Sequence, residues 1–250
     1  MKIKFLCAAA ALTAAFSATS AFAADDITVS GSAALVSSYK FRGIDQSDTK
    51  PAVQAAITVA HKSGFYVSTW GSSLATGNGN GNGTEIDIYG GYTTSIADLG
   101  LTLDGGIYGY VYPGNTSLNT FELYGSVAKA YGPATLKVGL NWAPKQGVFT
   151  TGAAAGSFTK YSVYKYADLS GTIPGTPVTL HGHLGHTAGG LGFGAVRPYL
   201  DYSVGASVKY KNLTLDLSGV GTNVSTAAAG SVAARRPAKS VLVLSLTAGF

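Results

Sequence analysis

Apolar and polar residues alternate along most of this chain, which predicts β-strands with one apolar face. The pattern is clearest in residues 240–250, at the carboxyl end of the sequence. The ends of soluble chains are usually polar and frayed, whereas here the apolar row reaches the last residue. A strand whose apolar face lies in lipid must be paired on both edges, so we expect a closed sheet. The apolar parity of this terminal strand consists of Leu242, Leu244, Leu246, Ala248 and Phe250.

The same alternation predicts eleven further strands, which gives about twelve in total. Charged residues fall almost entirely on the polar parity, as in strands with a lipid-facing side and a lumen-facing side. The third segment is ambiguous, because Phe65 and Val67 lie on one parity while Tyr66 and Trp70 lie on the other. The predicted strands cover residues 27–42, 53–59, 65–74, 85–92, 101–112, 121–127, 135–142, 158–169, 178–184, 200–210 and 213–217.

The connections between these strands form two sets that alternate along the chain. One set is short, and the other is longer on average and rich in Gly, Asn, Ala and Thr. Outer-membrane barrels have short periplasmic turns and longer external loops, so the sequence predicts one antiparallel up-and-down transmembrane β-barrel with both termini in the periplasm. The short set comprises residues 61–64, 94–99, 131–133, 170–177 and 211–212, and the long set residues 43–51, 75–83, 113–118, 145–157, 188–198 and 223–239.

Composition agrees with an all-β membrane protein. The chain is 46% hydrophobic but only 12% charged, whereas ordinary soluble domains are roughly 25% charged. Beyond residue 24, no window contains the run of about 18 apolar residues that a membrane helix requires. Because basic residues are few and not clustered, apart from Arg235 and Arg236, we expect no nucleic-acid binding.

The amino terminus has the pattern of a secretory signal peptide. Lys2 and Lys4 precede an apolar run, and Ala21-Phe22-Ala23 fits a small-residue cleavage site. We therefore expect residues 1–23 to be removed and residues 24–250 to form the barrel. The only cysteine, Cys7, lies in the apolar run, so the mature chain has no disulfide and no thiolate metal site, and we expect no cofactor.

The polar parity identifies the side chains that should face the lumen. Strand direction places Lys40 and Arg42 at the external end of strand one, and Glu85, Asp87 and Glu122 at the same end of strands four and six. We expect these residues to form a constriction, in which opposed basic and acidic patches create a transverse field. Alternatively, they pair with lumen neighbours and fill the barrel, and Arg42 could bond loop carbonyls or Asp45 or Asp48.

Aromatic residues occur on both parities and should have two different roles. Tyr108, Tyr110 and Tyr124 share the polar parity, where they would line a solute path or pack the lumen. Those on the apolar parity are typical of the aromatic girdles at the two membrane interfaces. The latter are Tyr39, Phe41, Tyr92, Trp142, Tyr202 and Tyr210.

Several short motifs resemble the TorF-type family of outer-membrane porins. The resemblance covers most of the mature chain and is densest between residues 38 and 92. It implies a barrel in the outer membrane of a Gram-negative bacterium that transports solutes. The motifs are Ser38-Tyr39-Lys40-Phe41-Arg42-Gly43, Pro51-Ala52-Val53-Gln54, Gly64-Phe65-Tyr66, Trp70-Gly71-Ser72, Glu85-Ile86-Asp87 and Tyr89-Gly90-Gly91-Tyr92.

These observations favour a porin-like channel for passive diffusion of small polar solutes, not an enzyme. The terminal aromatic strand resembles the signal that the barrel-assembly machinery recognises, and the apolar face would contact outer-membrane lipids. One alternative is a structural or adhesion barrel without an open pore. Another is an outer-membrane hydrolase, since a twelve-stranded phospholipase family exists; His181 and His183 share one parity and could also hold a metal, although no third ligand is apparent.

Overall fold

The computed structural model describes residues 22–23, 26–75, 83–147, 161–189, 198–224 and 239–250. Strands dominate these residues, with short 3-10 turns at Ala97–Leu99 and Thr116–Leu118. The strands are β1 (Phe22–Ala23), β2 (Ile27–Val36), β3 (Lys40–Phe41), β4 (Ile44–Asp45), β5 (Ala52–His61), β6 (Phe65–Ser73), β7 (Thr84–Ile96), β8 (Leu101–Val111), β9 (Thr120–Tyr131), β10 (Ala134–Ala143), β11 (Ser162–Thr172), β12 (Val178–Gly189), β13 (Tyr199–Tyr210), β14 (Leu213–Thr222) and β15 (Val241–Gly249).

Twelve of these strands, β2 and β5–β15, close into one antiparallel barrel. Each strand from β5 to β15 pairs with its neighbours in sequence, and β2 pairs with β5 on one edge and with β15 on the other. The closing register places Leu246 opposite Leu35 and Ala248 opposite Ala33. Closure leaves the barrel without a free sheet edge. The prediction of a twelve-stranded up-and-down barrel is therefore confirmed.

The two ends of the barrel differ in the length of their connections. At the end where β2 begins, the connections are short and include residues 62–64, 132–133 and 211–212. Left-handed residues, Gly64, Gly132 and Lys211 among them, make these reversals possible. At the opposite end, the connections from 37 to 51 and from 112 to 119 are longer. We call these the turn end and the loop end.

The outer surface of the barrel is apolar, and the inner surface is polar. Leu242, Leu244, Leu246 and Phe250 are all exposed on the outside of β15 and at its end. The carbonyl and amide of Phe250 bond the backbone of Gly31, and the missing side chain of Gly31 leaves room for the Phe250 ring. Inward positions hold most of the buried polar residues, including Thr58, Ser68, Ser207 and Ser218.

Several strands extend further than predicted, such as β7, which reaches Ile96 instead of residue 92. At two others the predicted strand was too long by several residues at one end. Strand one was expected to reach residue 42, but β2 ends at Val36, where the chain leaves the barrel wall and folds inward. Tyr39 and Phe41 therefore do not belong to the outer aromatic girdle; Tyr39 is only 4% exposed. Strand eight was expected from residue 158, but β11 begins at Ser162, and residues 158–160 lie outside the described residues.

The third predicted strand, whose facing was ambiguous, is β6, and the structure shows which of its sides faces the lumen. Phe65 and Val67 are exposed on the outer surface, while Tyr66 and Trp70 pack in the lumen. In the part of the chain that the structure describes, no helix has the length and apolar character needed to span a membrane.

Candidate functional site

Residues 37–50 form an inward hairpin that enters the lumen from the loop end. Lys40 and Phe41 pair with Ile44 and Asp45 in a two-residue ladder, and most of the segment is buried. Asp45 stabilises the hairpin, because its carboxylate accepts hydrogen bonds from the backbone amides of Ser47 and Thr49. The hairpin is therefore an ordered part of the barrel interior.

The tip of the hairpin is made by Arg42 and Gly43. Both have positive φ, 47° for Arg42 and 75° for Gly43, as the two central residues of a tight type I′ hairpin turn require. Gly43 also approaches the wall closely. A Cβ added there would lie 2.8 Å from the carbonyl oxygen of Gly221 and 2.9 Å from Cβ of Asp201, so a larger residue would displace the tip.

The inward hairpin spans the lumen from one side to the other. At its base, Tyr39 packs on Trp70 of β6 with the ring centroids 5.3 Å apart. Further along, Phe41 contacts Tyr110 of β8. On the far side, Ile44 packs against Tyr199 of β13. Because β6 and β13 lie on opposite sides of the barrel, the hairpin divides the lumen at this level.

An ion pair fixes the tip to the barrel. Nη2 of Arg42 lies 2.6 Å from Oε2 of Glu122, and both side chains are almost fully buried. The same oxygen accepts hydrogen bonds from Tyr110 at 3.0 Å and from Asn141 at 2.9 Å. The Arg42 guanidinium also covers the ring of Tyr164, 4.1 Å from its centroid. Removing one partner of such a buried ion pair strongly destabilises the protein, because the other charge stays buried without a counter-ion.

The second basic residue of the hairpin pairs within the hairpin itself. Nζ of Lys40 lies 3.0 Å from Oδ2 of Asp45, and Ser38 donates to the same carboxylate. Lys40 and Arg42 of the hairpin thus each have a carboxylate in direct contact. Arg42 does not bond Asp45 or Asp48 in the structure; its carboxylate partner is Glu122.

Aromatic rings and carboxylates fill the lumen side of β6–β9, which we call the packed wall. Tyr89 stacks on Tyr108 with centroids 4.5 Å apart, and Tyr108 contacts Tyr110. Hydroxyl groups of this cluster point at acidic side chains. Tyr108 donates to Asp87 at 2.8 Å, and Tyr112 donates to Glu85 at 2.8 Å.

Two further contacts complete the packed wall. Nearer the turn end, the hydroxyl of Tyr66 bonds Asp104 at 2.8 Å and also contacts the hydroxyl of Tyr124. Tyr112 follows the last residue of β8 at the loop end. Burial raises the pKa of Tyr112 well above its usual value, and the nearby Glu85 carboxylate raises it further. Tyr112 is therefore a protonated donor to that carboxylate.

The lumen side of β10–β14, the cavity wall, leaves open space. A cavity of about 60 Å³ lies between it and the hairpin tip, which is enough for several water molecules. Lys137, Tyr166 and His183 line it together with Arg42. The residues that line it from the barrel side are Lys137, Tyr164, Tyr166, Asp168, Leu169, Ser170, His181, Gly182, His183, Asp201, Tyr202, Ser203 and Val220.

His183 is the centre of a hydrogen-bond network on the cavity wall. Its Nδ1 lies 2.6 Å from Asp168, and its Nε2 lies 3.0 Å from Asp201. An ionised carboxylate only accepts hydrogen bonds, so a ring held between two of them donates from both nitrogens and is an imidazolium. Tyr164 also contacts Nε2 of His183 at 2.7 Å and donates to Asp201.

The structure places the residues singled out from the sequence as follows. Glu85, Asp87 and Glu122 lie in the lumen on β7 and β9, and Lys40 and Arg42 reach the lumen on the hairpin. Tyr108, Tyr110 and Tyr124 belong to the packed wall. The sequence reasoning named Asp45 only as a possible partner of Arg42, and it missed Tyr164 and the network around His183.

The histidines of the lumen match neither a hydrolase triad nor a metal site. His181 and His183 both face the lumen, but each bonds carboxylates, His181 to Asp216 at 2.6 Å. Ser218 donates to Asp216, so the carboxylate, not the histidine, lies between the other two groups, unlike a nucleophilic serine triad. Across the described ranges, no group of three or more ligating side chains could hold a metal ion.

A family model matches almost the whole chain. It describes Gcw_chp, a bacterial protein of unknown function, and it matches residues 20–250. The chain belongs to this family. A comparison with curated proteins found no match.

Solved structures with the same fold include two porins and a channel. The NanC porin has a TM-score of 0.59 at 9% identity, covering 89% of this chain and 98% of that chain. The KdgM porin has a TM-score of 0.52 at 10% identity, covering 89% and 97%. An outer-membrane channel from Pseudomonas putida F1 has a TM-score of 0.52 at 10% identity, covering 92% and 96%. At these identities, the similarity shows the fold alone.

Proposed function

We propose that this protein is an outer-membrane channel through which small polar solutes diffuse passively. The observation that carries the proposal is the closed barrel with an apolar outer surface and a polar lumen, which the inward hairpin narrows but does not fill. A barrel that served only as an anchor would need no cavity lined by Lys137, His183 and Asp168. The fold shared with the NanC and KdgM porins supports this function.

Location and assembly follow from the same proposal. The exposed leucines of β15 would contact the lipids of a Gram-negative outer membrane, and the barrel-assembly machinery would recognise this strand with Phe250. Residues 1–23 would be the signal peptide, so that cleavage after Ala23 removes β1 before insertion. The motif resemblance to the TorF-type porins agrees with this location.

The inward hairpin is the constriction of the proposed channel. Arg42 at its tip contacts Glu122 of the packed wall, while Lys40 pairs with Asp45 inside the hairpin. That Lys40, Arg42, Glu85, Asp87 and Glu122 together form the constriction stays a prediction. The local field there arises from close ion pairs, because Arg42 contacts Glu122 directly. Tyr108, Tyr110 and Tyr124 fill the lumen beside this constriction, so the solute path runs along the cavity wall.

Single-channel recording tests the proposal directly. The purified protein, reconstituted in planar bilayers, should give small conductance steps, and uncharged solutes of graded size should reduce the conductance only below a narrow size limit. An absence of steps, together with no solute entry into proteoliposomes, would contradict a channel function. That result would favour the alternative of a structural or adhesion barrel.

The alternative of a barrel without an open pore has one observation in its favour. The side chains of Glu85 and Glu122 are almost inaccessible to solvent, so the packed wall itself offers no path. Under this alternative, replacing external loops would abolish cell binding without affecting uptake of any solute. A loop replacement that leaves binding intact would argue against it.

A further inference from the structure

The outward positions of the barrel strands carry few charged side chains. In the strands that the structure describes, these positions hold four basic residues and no Asp or Glu. Two of them, His61 and Lys129, lie near the turn end, and the other two, Lys165 and His186, lie near the loop end. A charged group that faces lipid is costly, and the cost falls from the middle of the membrane to its surfaces. The pair at the loop end therefore requires a stabilising contact.

Lys165 and His186 face outward side by side. Lys165 of β11 is the cross-strand partner of His186 on β12, and Lys165 is exposed. Its neighbours along β11, Tyr164 and Tyr166, line the cavity inside the barrel, so Lys165 itself points outward. Thr187, next to His186, is only 1% exposed on the inner side. Directly opposed residues on one face have Cβ atoms about 5 Å apart, so the two basic groups can bind one ligand together.

Neither of these two side chains has a partner among the described residues. Within those ranges, the side chains of Lys165 and His186 make no hydrogen bond, ion pair or ring contact. The outward lysine near the turn end differs, because the ammonium of Lys129 lies over the ring of Tyr131, 5.4 Å from its centroid. The polar groups of the loop-end pair are therefore available to a molecule outside the chain.

The position of the pair along the strands matches the depth of lipid headgroups. Lys165 lies three residues from Ser162, where β11 begins at the loop end, which is about 10 Å along the strand. Strand tilt shortens this distance along the membrane normal, and a lysine side chain extends its ammonium towards the interface. Trp142, which pairs with Val163 one step nearer the loop end, is exposed on the outer surface, as interfacial aromatic residues are. The Lys165 ammonium and lipid headgroups therefore lie at similar depth, with Trp142 beside them.

We propose that Lys165 and His186 bind the phosphate group of a lipid in the leaflet at the loop end. The Lys165 ammonium supplies three donors and a positive charge, and an imidazole ring supplies at least one N–H donor in either protonation state. Basic groups at this depth recognise anionic headgroups in other membrane proteins. The acyl chains would lie against Leu140 and Leu184, which flank the pair and are exposed on the outer surface. This inference rests on the proposed outer-membrane location, not on an open pore.

Fluorescence quenching by brominated lipids tests this inference, because Trp142 lies beside the pair. The protein with Trp70→Phe, which removes the other tryptophan, is reconstituted in phosphatidylcholine vesicles that contain a small share of brominated phosphatidic acid. A matched sample contains the same share of brominated phosphatidylcholine. The ratio of the two binding constants from Trp142 quenching should be several-fold above one in favour of phosphatidic acid. Equal quenching by the two lipids would overturn the inference.

Matched substitutions locate the site on the barrel surface. Lys165→Gln should lower the ratio several-fold towards one, because it removes a basic contact at the membrane surface, and adding His186→Ala should lower it further. Lys129→Gln removes the same charge from the outer surface near the turn end and should leave the ratio unchanged. Equal effects of Lys165→Gln and Lys129→Gln would overturn the assignment.

Native mass spectrometry of the unaltered protein in detergent gives a second measurement without any substitution. Dioleoyl phosphatidic acid should remain bound, whereas dioleoylglycerol, which has the same chains but no phosphate, should not. Inorganic phosphate at the concentration of the lipid should not displace it; displacement would assign the site to a soluble anion and overturn the lipid as its occupant. Equal retention of the two lipids would overturn the site, while conductance steps in planar bilayers would still support the channel.

Discussion

The packed wall and the cavity wall of this barrel use acidic side chains in opposite ways. On the packed wall, Asp87 is buried and accepts a hydrogen bond from the hydroxyl of Tyr108. On the cavity wall, Asp168 bonds the ring of His183, and the Asp168 side chain is 16% exposed. A tyrosine hydroxyl and an imidazolium can each donate a hydrogen bond to a carboxylate, but only the imidazolium also carries a positive charge. The comparison separates a buried wall held by uncharged donors from a partly exposed wall that borders the cavity.

The inward hairpin belongs to both regions and separates them. Its aromatic base, Tyr39 and Phe41, extends the packed wall, while Gly43 fits against β13 and β14. The barrel closes through strand pairing alone, so the hairpin is not required for closure. Its removal should therefore change the lumen more than the fold.

The largest effect is expected from replacing residues 39–46 with a Gly-Ser linker of equal length. The obstruction across the lumen is lost while β2 and β5 still pair, so single-channel conductance should rise several-fold. The matched control replaces residues 113–118 of an exposed loop at the same end, and its conductance should stay near that of the unaltered protein. Equal conductance of both replacements would mean that the hairpin does not limit the pore.

A smaller effect on stability should distinguish the two walls. Glu122→Ala leaves the buried guanidinium of Arg42 without its partner and should cost about 3 kcal/mol of unfolding free energy. Asp168→Ala removes a hydrogen-bond partner of His183. Because His183 is more exposed, water can take the place of the carboxylate, so the loss should be roughly 1 kcal/mol. Urea-induced unfolding of the folded barrel in lipid vesicles measures both. Similar losses for the two variants would contradict the difference in packing.

The smallest effect concerns a single hydroxyl group. Tyr108→Phe keeps the stacked ring but removes the donor to Asp87, so it should cost about 1 kcal/mol by the same unfolding measurement. Tyr210→Phe is the control, because Tyr210 is exposed on the outer surface, and its stability should not change. If Tyr108→Phe left the unfolding free energy unchanged, the burial of Asp87 would not depend on this hydrogen bond.

The sequence predicted the barrel because alternation is a local property that every strand repeats. It also selected Glu85, Asp87 and Glu122 as lumen residues, since parity decides the facing of a strand. It failed at residues 37–42, where Tyr39 and Phe41 continue the alternating pattern although the chain has left the wall. The signal for the hairpin was Arg42-Gly43, a turn sequence flanked by Phe41 and Ile44, which parity alone does not reveal.

The partners of the lumen side chains could not be predicted from one sequence. Glu122 meets Arg42 across 80 residues, and His183 meets Asp168 and Asp201 on the two neighbouring strands. Such contacts depend on register and on the path of the hairpin. A one-residue change in either would bring different groups together.

Cysteine crosslinking of the inward hairpin to the wall tests the central claim, that the inward hairpin crosses the lumen. Ile44 of the hairpin packs against Tyr199 of β13, and the only native cysteine, Cys7, lies in the expected signal peptide. The pair Ile44→Cys and Tyr199→Cys should be joined by a short thiol-specific crosslinker, seen as a gel-mobility shift. The pair Ile44→Cys and Lys209→Cys, ten residues further along β13 and so roughly 33 Å away, should not. Efficient crosslinking of the second pair, or none of the first, would contradict the account.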